Sequence, residues 1–109
     1  MDLMNSLKVA ASGLRAQSNR MRVIAENLAN ASSTANTQNG TPYQRQIPTF
    51  ITEIDRASGA RVVRPGSTIL DLSDFGSRFD PGHPAANEQG YVATPNVNTM
   101  IEAMDMREA

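Results

Sequence analysis

An apolar repeat at the start of this chain constrains its fold more than any other feature. Leu3, Leu7, Ala10, Leu14, Gln17, Met21, Ile24, Leu28 and Ala31 recur at alternating steps of four and three. That is the a/d spacing of a helix that packs against another helix. Only Gln17 interrupts the seam, and Lys, Arg, Asn, Gln, Ser and Glu fill its flanks. The spacing predicts one helix over Asp2 to Ala31. Thirty helical residues span about 45 Å, whereas a compact domain of 109 residues has a radius of gyration of about 13 Å. Such a helix overhangs any body the rest of the chain can make. Gly13 costs about 1 kcal/mol relative to Ala inside a helix. A close helix–helix approach, a kink or a late helix start each accounts for it.

The remaining residues offer little to cover the seam. Leu, Ile, Val and Phe together number 21, and 14 further apolar positions are Ala, which buries little surface. A core that thin calls for partner chains. The net charge of -1 argues against nucleic-acid binding, which needs a clustered basic face. Arg15, Arg20 and Arg22 are too few to make one. No apolar run reaches the length of about 18 residues that a membrane-spanning helix needs. The first residues, with Asp2 and polar breaks, do not form a conventional secretory signal. With no cysteine, disulfides, thiolate metal sites and thiol catalysis are excluded.

The expected fold class is α+β, with a long N-terminal coiled-coil-type helix, a small β-hairpin module and the start of a C-terminal helix. Four segments follow: the helix over 1–31, a polar connector over 32–42, a small β-rich module over 43–95 and the beginning of the second helix over 96–109. Asn30 is placed to stop the first helix, because Asn tolerates the left-handed conformation. The connector is built from Ser, Thr, Asn and Gly, which favour turns. Ile47, Phe50, Ile51 and Ile54 anchor a loosely alternating strand, with Pro48 marking an edge. "ASGA" at 57–60 reads as a turn, and "RVVR" at 61–64 and "STILDL" at 67–72 read as short strands. "FDPGHPAANEQG" from Phe79 to Gly90 reads as a rigid loop in which Pro81 and Pro84 fix φ and Gly82 can take a positive one. Thr99 and Glu102 form a capping-box pattern. Val97, Ile101, Met104 and Glu108 then repeat at helical spacing.

Catalytic chemistry is thinly represented. His83, the only histidine, stands between Asp80 and Glu88, an arrangement that could bind a metal or act as a base. A single histidine without cysteine makes a poor transition-metal site. Asp71 and Asp74 could form a carboxylate pair, but turn acids in water explain them better. There is no G-x-S-x-G elbow and no P-loop spacing. "NAS" at 30–32 fits the glycosylation acceptor pattern but is weak without a secretory signal. No catalytic, cofactor-binding or metal-binding residue is expected. Two other readings remain: a periplasmic metal-binding or hydrolytic module using Asp80, His83 and Glu88, and a stand-alone coiled-coil adaptor.

Two motifs carry a resemblance. "AASGLRAQSNRMRVIAENLANASST" is similar to the N-terminal signature of the axial proteins of the bacterial flagellum, in which a helix ends in an element that is here Asn27, Leu28, Ala29 and Asn30. "DPGHPAANEQGYVATPNVN", with "GTPYQRQIPTF", resembles the proximal-rod subunits within that family. The resemblance covers nearly the whole chain, and from Ala57 to Ser77 only in character. It implies a structural subunit of the rod, the drive shaft that carries motor torque. It also implies export through the flagellar type III apparatus without a cleaved signal, and residence in the periplasmic rod of the basal body.

The implied partners are other rod subunits and the MS-ring and adaptor proteins of the basal body, with self-association through helical packing and neither nucleic acid nor a small-molecule substrate. The implied roles are subunit packing for Leu3, Leu7, Leu14, Met21, Ile24 and Leu28, with Val97, Ile101 and Met104 as a second strip. Asn27 and Asn30 set the helix end, Tyr43 and Arg45 anchor the returning strand, and the loop around Pro81 to Pro84 touches a neighbour. Family members continue into a long C-terminal helix of which this chain holds only the beginning. The seam from Leu3 to Leu28 is therefore expected to be disordered or packed on a neighbouring copy when the chain is alone. The connector is expected to be mobile in the free chain and a contact surface in the rod.

Overall fold

The computed structural model describes residues 3–108, so the expectations for Asp2 and Ala109 lie outside the described residues. Helix α1 runs over Leu3–Ala29 and helix α2 over Thr99–Glu108. Between them lie six short strands: β1 (Gln46–Ile47), β2 (Phe50–Ile54), β3 (Arg61–Pro65), β4 (Ile69–Leu70), β5 (Gly76–Phe79) and β6 (Tyr91–Thr94). They pair antiparallel in three separate two-stranded sheets, β1 with β4, β2 with β3 and β5 with β6. The chain is thus α+β. It is also long and thin, measuring 64 × 24 × 18 Å with a radius of gyration of 19.1 Å. It exposes 7256 Å², about a fifth more than a compact domain of its 11.8 kDa mass.

A two-stranded hairpin is marginal by itself, and β2–β3 gains its support from α1. Asp55 and Ala60 close the turn by an N–H···O bond of 2.8 Å, with Gly59 at φ +73°. Along the hairpin Thr52 faces Val63, and the Val63 N–H does not point into the ladder. It donates to Ser12 Oγ at 3.2 Å, while Ser12 donates to Val9 O at 2.8 Å. The hairpin therefore stands on α1 by the edge of β3. An unpaired strand edge is a liability, and here a helix hydroxyl caps it. Lys8 and Asp55 add an ion pair at 3.2 Å across the same junction.

That docking decides which face of α1 is buried. Ser12, Ala16, Val23, Ile24 and Asn27 are buried. Four of these, Ser12, Ala16, Val23 and Asn27, lie about 160° around the helix from Leu3, Leu7, Leu14 and Met21 at 3.6 residues per turn. Small side chains let the strand edge approach the helix backbone, so the chain's own packing uses the small stripe and not the leucine seam. α1 is continuous over Leu3–Ala29, with the hairpin against part of its other face. The seam itself stays open. Gly13 has no close helix neighbour, since a Cβ there would meet nothing within 4 Å.

Three local expectations change. Asn30 is not left-handed; among the described non-glycine residues only Asn39, at φ +67°, is. Asn30 instead folds its amide back onto Glu26 O at 2.8 Å. Gly82 does not use a positive φ, whereas Gly90 does at +87°, where a Cβ would come within 2.9 Å of the Phe79 ring. The cap of α2 is Asn98, whose Oδ1 accepts from the Met100 and Ile101 N–H groups at 3.1 and 3.3 Å. Thr99 is the first residue of α2 and its capping box with Glu102 does not form, because Glu102 has a different use.

Candidate assembly surface and the polar knot behind it

The outward face of α1 holds Leu3, Met4, Leu7, Leu14 and Met21, with Leu3 76% and Leu14 70% exposed. On α2, Met100, Ile101 and Met104 are exposed too. Of the expected packing residues, Ile24 is buried within the chain, and Leu28 and Val97 are half-buried. Among the described residues, sixteen large apolar side chains are exposed against five buried apolar ones. A monomer rarely leaves that balance uncovered. The exposed set also includes Phe50, Ile51 and Ile54 on β2, so the strand expected to anchor the module turns its apolar side chains to the surface.

Behind this surface lies a polar knot that fixes the two helices relative to one another. Asn27, in the last turn of α1, is completely buried. Its Oδ1 accepts from the Gln46 N–H at 2.9 Å and from the Tyr43 hydroxyl at 2.7 Å. Its Nδ2 donates to Gln46 O at 2.9 Å and to Glu102 Oε2 at 3.4 Å. The Asn side chain thus pairs with the Gln46 backbone as a neighbouring strand would. Glu102, also fully buried, accepts from Arg45 Nε through Oε1. Arg45 extends a second arm to Asp71 Oδ2 at 3.1 Å.

Asn96 locks the other side, accepting from the Arg45 N–H at 2.7 Å and donating to Asp71 O and Ser73 O at 3.0 and 3.1 Å. No buried side-chain nitrogen or oxygen among the described residues lacks a partner. A buried charge pair this well satisfied is worth little beyond a hydrophobic replacement, but losing one partner is costly.

The charges follow from these contacts. Burial pushes the Tyr43 hydroxyl above its ordinary value, and the negative charges of Glu26 and Glu102 add to it. Burial opposes the charge on Arg45, but hydrogen bonding and attraction from Glu102, then from Asp71, outweigh it and raise it. The Ser73 N–H and hydroxyl hold the Asp71 carboxyl below its usual range; partial burial opposes them and Arg45 reinforces them.

Asn27, Tyr43 and Arg45, singled out for the helix end and the returning strand, therefore meet in one cluster, while Asn30 closes the helix beside it. Ser12, Gln46 and Asn96 were not singled out, and the sequence marks Glu102 only as half of a capping box. A signal for the first existed: Ser12, Ala16 and Asn27 are small or polar residues on the face opposite the leucines. Glu102 gave none, because an acid in the first turn of a helix reads as a dipole or cap residue.

The other candidates are structural. The Ala85 N–H donates to His83 Nδ1 at 2.9 Å, which leaves Nε2 protonated and 2.9 Å from Thr34 Oγ1. His83 thereby ties the 80–90 loop to the connector, while Pro81, Gly82 and Pro84 are exposed. Asp80 lies 3.8 Å from Arg78. Among the described residues no group of three or more His, Cys, Asp or Glu is placed to hold a metal ion. Asp71 serves Arg45 and does not pair with Asp74. The connector is closed at its base by the Tyr43 N–H on Ser33 O at 3.0 Å.

Comparison with known proteins gives these elements a context. Residues 7–38 match the family described as flagella basal body rod protein. The chain is 48% identical to the flagellar basal-body rod protein FlgC of Agrobacterium fabrum over 102 residues, which is 94% of this chain and 73% of that one. It is 37% identical to FlgC of Aquifex aeolicus, over 97% of this chain and 78% of the relative. With FlgC of Salmonella typhimurium the identity is 36%, over 100% and 81%.

Proposed function

Because this chain belongs to the FlgC family of flagellar basal-body rod proteins, we propose that it works by packing the open faces of its helices against other subunits. It is a structural subunit of the flagellar basal body and not an enzyme. The observation that carries the packing reading is the orientation of α1. Its small stripe is occupied by the hairpin, the returning segment and α2, and its leucine face is left for something outside the chain.

The magnitudes support this. Fully burying a Leu or Met side chain is worth about 1.5–3 kcal/mol, so Leu3, Leu7, Leu14 and Met21, 76%, 55%, 70% and 41% exposed, together offer about 4–7 kcal/mol. That is enough to offset part of the cost of association, about 4–15 kcal/mol, before α2 adds its strip of Met100, Ile101 and Met104. Contacts between unlike surfaces of like subunits propagate instead of closing, as a rod requires. In this reading the chain sits in the proximal, periplasmic rod and transmits torque. Its neighbours are other rod subunits and the MS-ring and adaptor proteins, and it is exported through the type III apparatus without a cleaved signal. The exposed loop at Pro81 to Pro84 is a further contact.

The test is a Leu7→Glu, Leu14→Glu double variant in a flagellated host lacking its own FlgC. The purified variant keeps its circular dichroism spectrum, because both residues are mostly exposed, while basal-body incorporation and swimming are lost. Wild-type assembly by this variant would sink the reading.

A further inference from the structure

The polar knot is built asymmetrically, and the asymmetry sets an order of dependence. Three of the four hydrogen bonds of Asn27 go to the returning segment, two to the Gln46 backbone and one to Tyr43. Only the fourth and longest, at 3.4 Å, goes to α2 through Glu102. The second partner of Glu102, Arg45, belongs to the same returning segment. Arg45 is held there independently of α2, by Asn96 on its N–H, by the Asp71 N–H on its carbonyl at 2.8 Å and by the Asp71 carboxylate. Removing α2 leaves Asn27 with three bonds and Arg45 with one carboxylate. Removing the returning segment leaves Glu102 with no cation.

Within α2 the one fully buried residue is Glu102. A carboxylate is not buried without a charge partner. We infer that the knot is a one-way latch: 43–46 must fold back onto Asn27 before α2 can dock, and α2 can release without undoing that fold. The docking of α2 is then conditional on the returning segment, and α2 can re-engage without the hairpin or α1 unfolding. This stands on the geometry of the single chain and does not depend on the assembly reading.

Hydrogen–deuterium exchange of the purified chain, followed by mass spectrometry, tests the latch. Three segments are read: 99–108, 43–47 and, as a reference for the body, 61–65. The wild type shows measurable protection in all three. In Glu102→Ala, exchange at 99–108 rises about tenfold or more, while 43–47 and 61–65 stay within about twofold of wild type. The milder Glu102→Gln keeps an oxygen for Arg45 and gives the same pattern at smaller size. In Asn27→Ala, protection falls at both 43–47 and 99–108. Four results would overturn the latch: no protection at 99–108 in the wild type; a Glu102 variant that frees 43–47 as much as 99–108; a Glu102 variant that loses protection at 61–65; or an Asn27→Ala chain that keeps 99–108 protected.

Discussion

The two faces of α1 differ in what they are made of and in what covers them. One is a stripe of small residues, Ser12, Ala16, Val23 and Asn27, and the hairpin, the returning segment and α2 occupy it. The other carries Leu3, Leu7, Leu14 and Met21, which stay exposed among the described residues. Size alone would assign the core to the leucines. The difference teaches that close approach outweighs bulk where a strand edge needs its N–H groups satisfied. Large side chains would hold β3 too far away for Ser12 to reach Val63.

The largest effect on this contrast comes from the knot that ends the buried face. Arg45→Met leaves the Glu102 carboxylate buried without its cation and is expected to cost about 3 kcal/mol, read as a lower denaturation midpoint in urea. Next, Ala16→Leu overfills the stripe and costs about 2 kcal/mol. Leu14→Ala, the same change in volume in the opposite direction, alters the stability of the isolated chain by about 0.5 kcal/mol or less. Equal costs for these two would erase the distinction between the faces.

Gly13 sharpens it further. With no atom within 4 Å of a built Cβ, Gly13→Ala should stabilise the free chain by about 1 kcal/mol through helix propensity. If a neighbouring helix packs close at Gly13, the same variant assembles less well. A gain in stability without any loss of assembly shows that no helix packs closely there.

The pH dependence tests the knot at both ends of the scale. The Asp71 carboxyl is depressed in the folded chain. Its contribution is complete above the ordinary carboxylate value near ~3.9 and is lost as pH falls through the lower folded value. The Tyr43 hydroxyl is raised, so its contribution is complete below about 10 and is lost as pH rises through the higher folded value. Melting temperature should therefore be flat across neutral pH and fall at both extremes. Tyr43→Phe should remove part of the alkaline fall and Asp71→Asn part of the acid fall. His83→Ala loses its bonds to Thr34 and to the Ala85 N–H and should cost about 1–2 kcal/mol without any change on adding divalent metal ions.

Much of the architecture was legible in the sequence. Periodicity identified α1 to within two residues of its end, Gly59 and its neighbours marked the hairpin turn, and prolines and Gly90 bounded the 80–90 loop. The capping box failed for a specific reason. Thr99 and Glu102 have the right spacing, but Asn98 is a better cap and Glu102 has a buried cation within reach. Asn27 was legible as a helix-end residue. Its bonds to Gln46 and Glu102 were not, since they join positions 19 and 75 residues apart.

By itself the sequence determined that a long helix with an apolar seam overhangs a small body and that the core is thin, because periodicity and composition are local properties. Through its two motifs it also pointed to the axial proteins of the flagellum. Only the tertiary structure decided which face of that helix belongs to the chain and which is left for others. The reason is physical: a helix with both a small stripe and a large one can bury either. The choice falls to the partner that approaches, here a strand edge with an N–H to satisfy and a carboxylate that needs a cation.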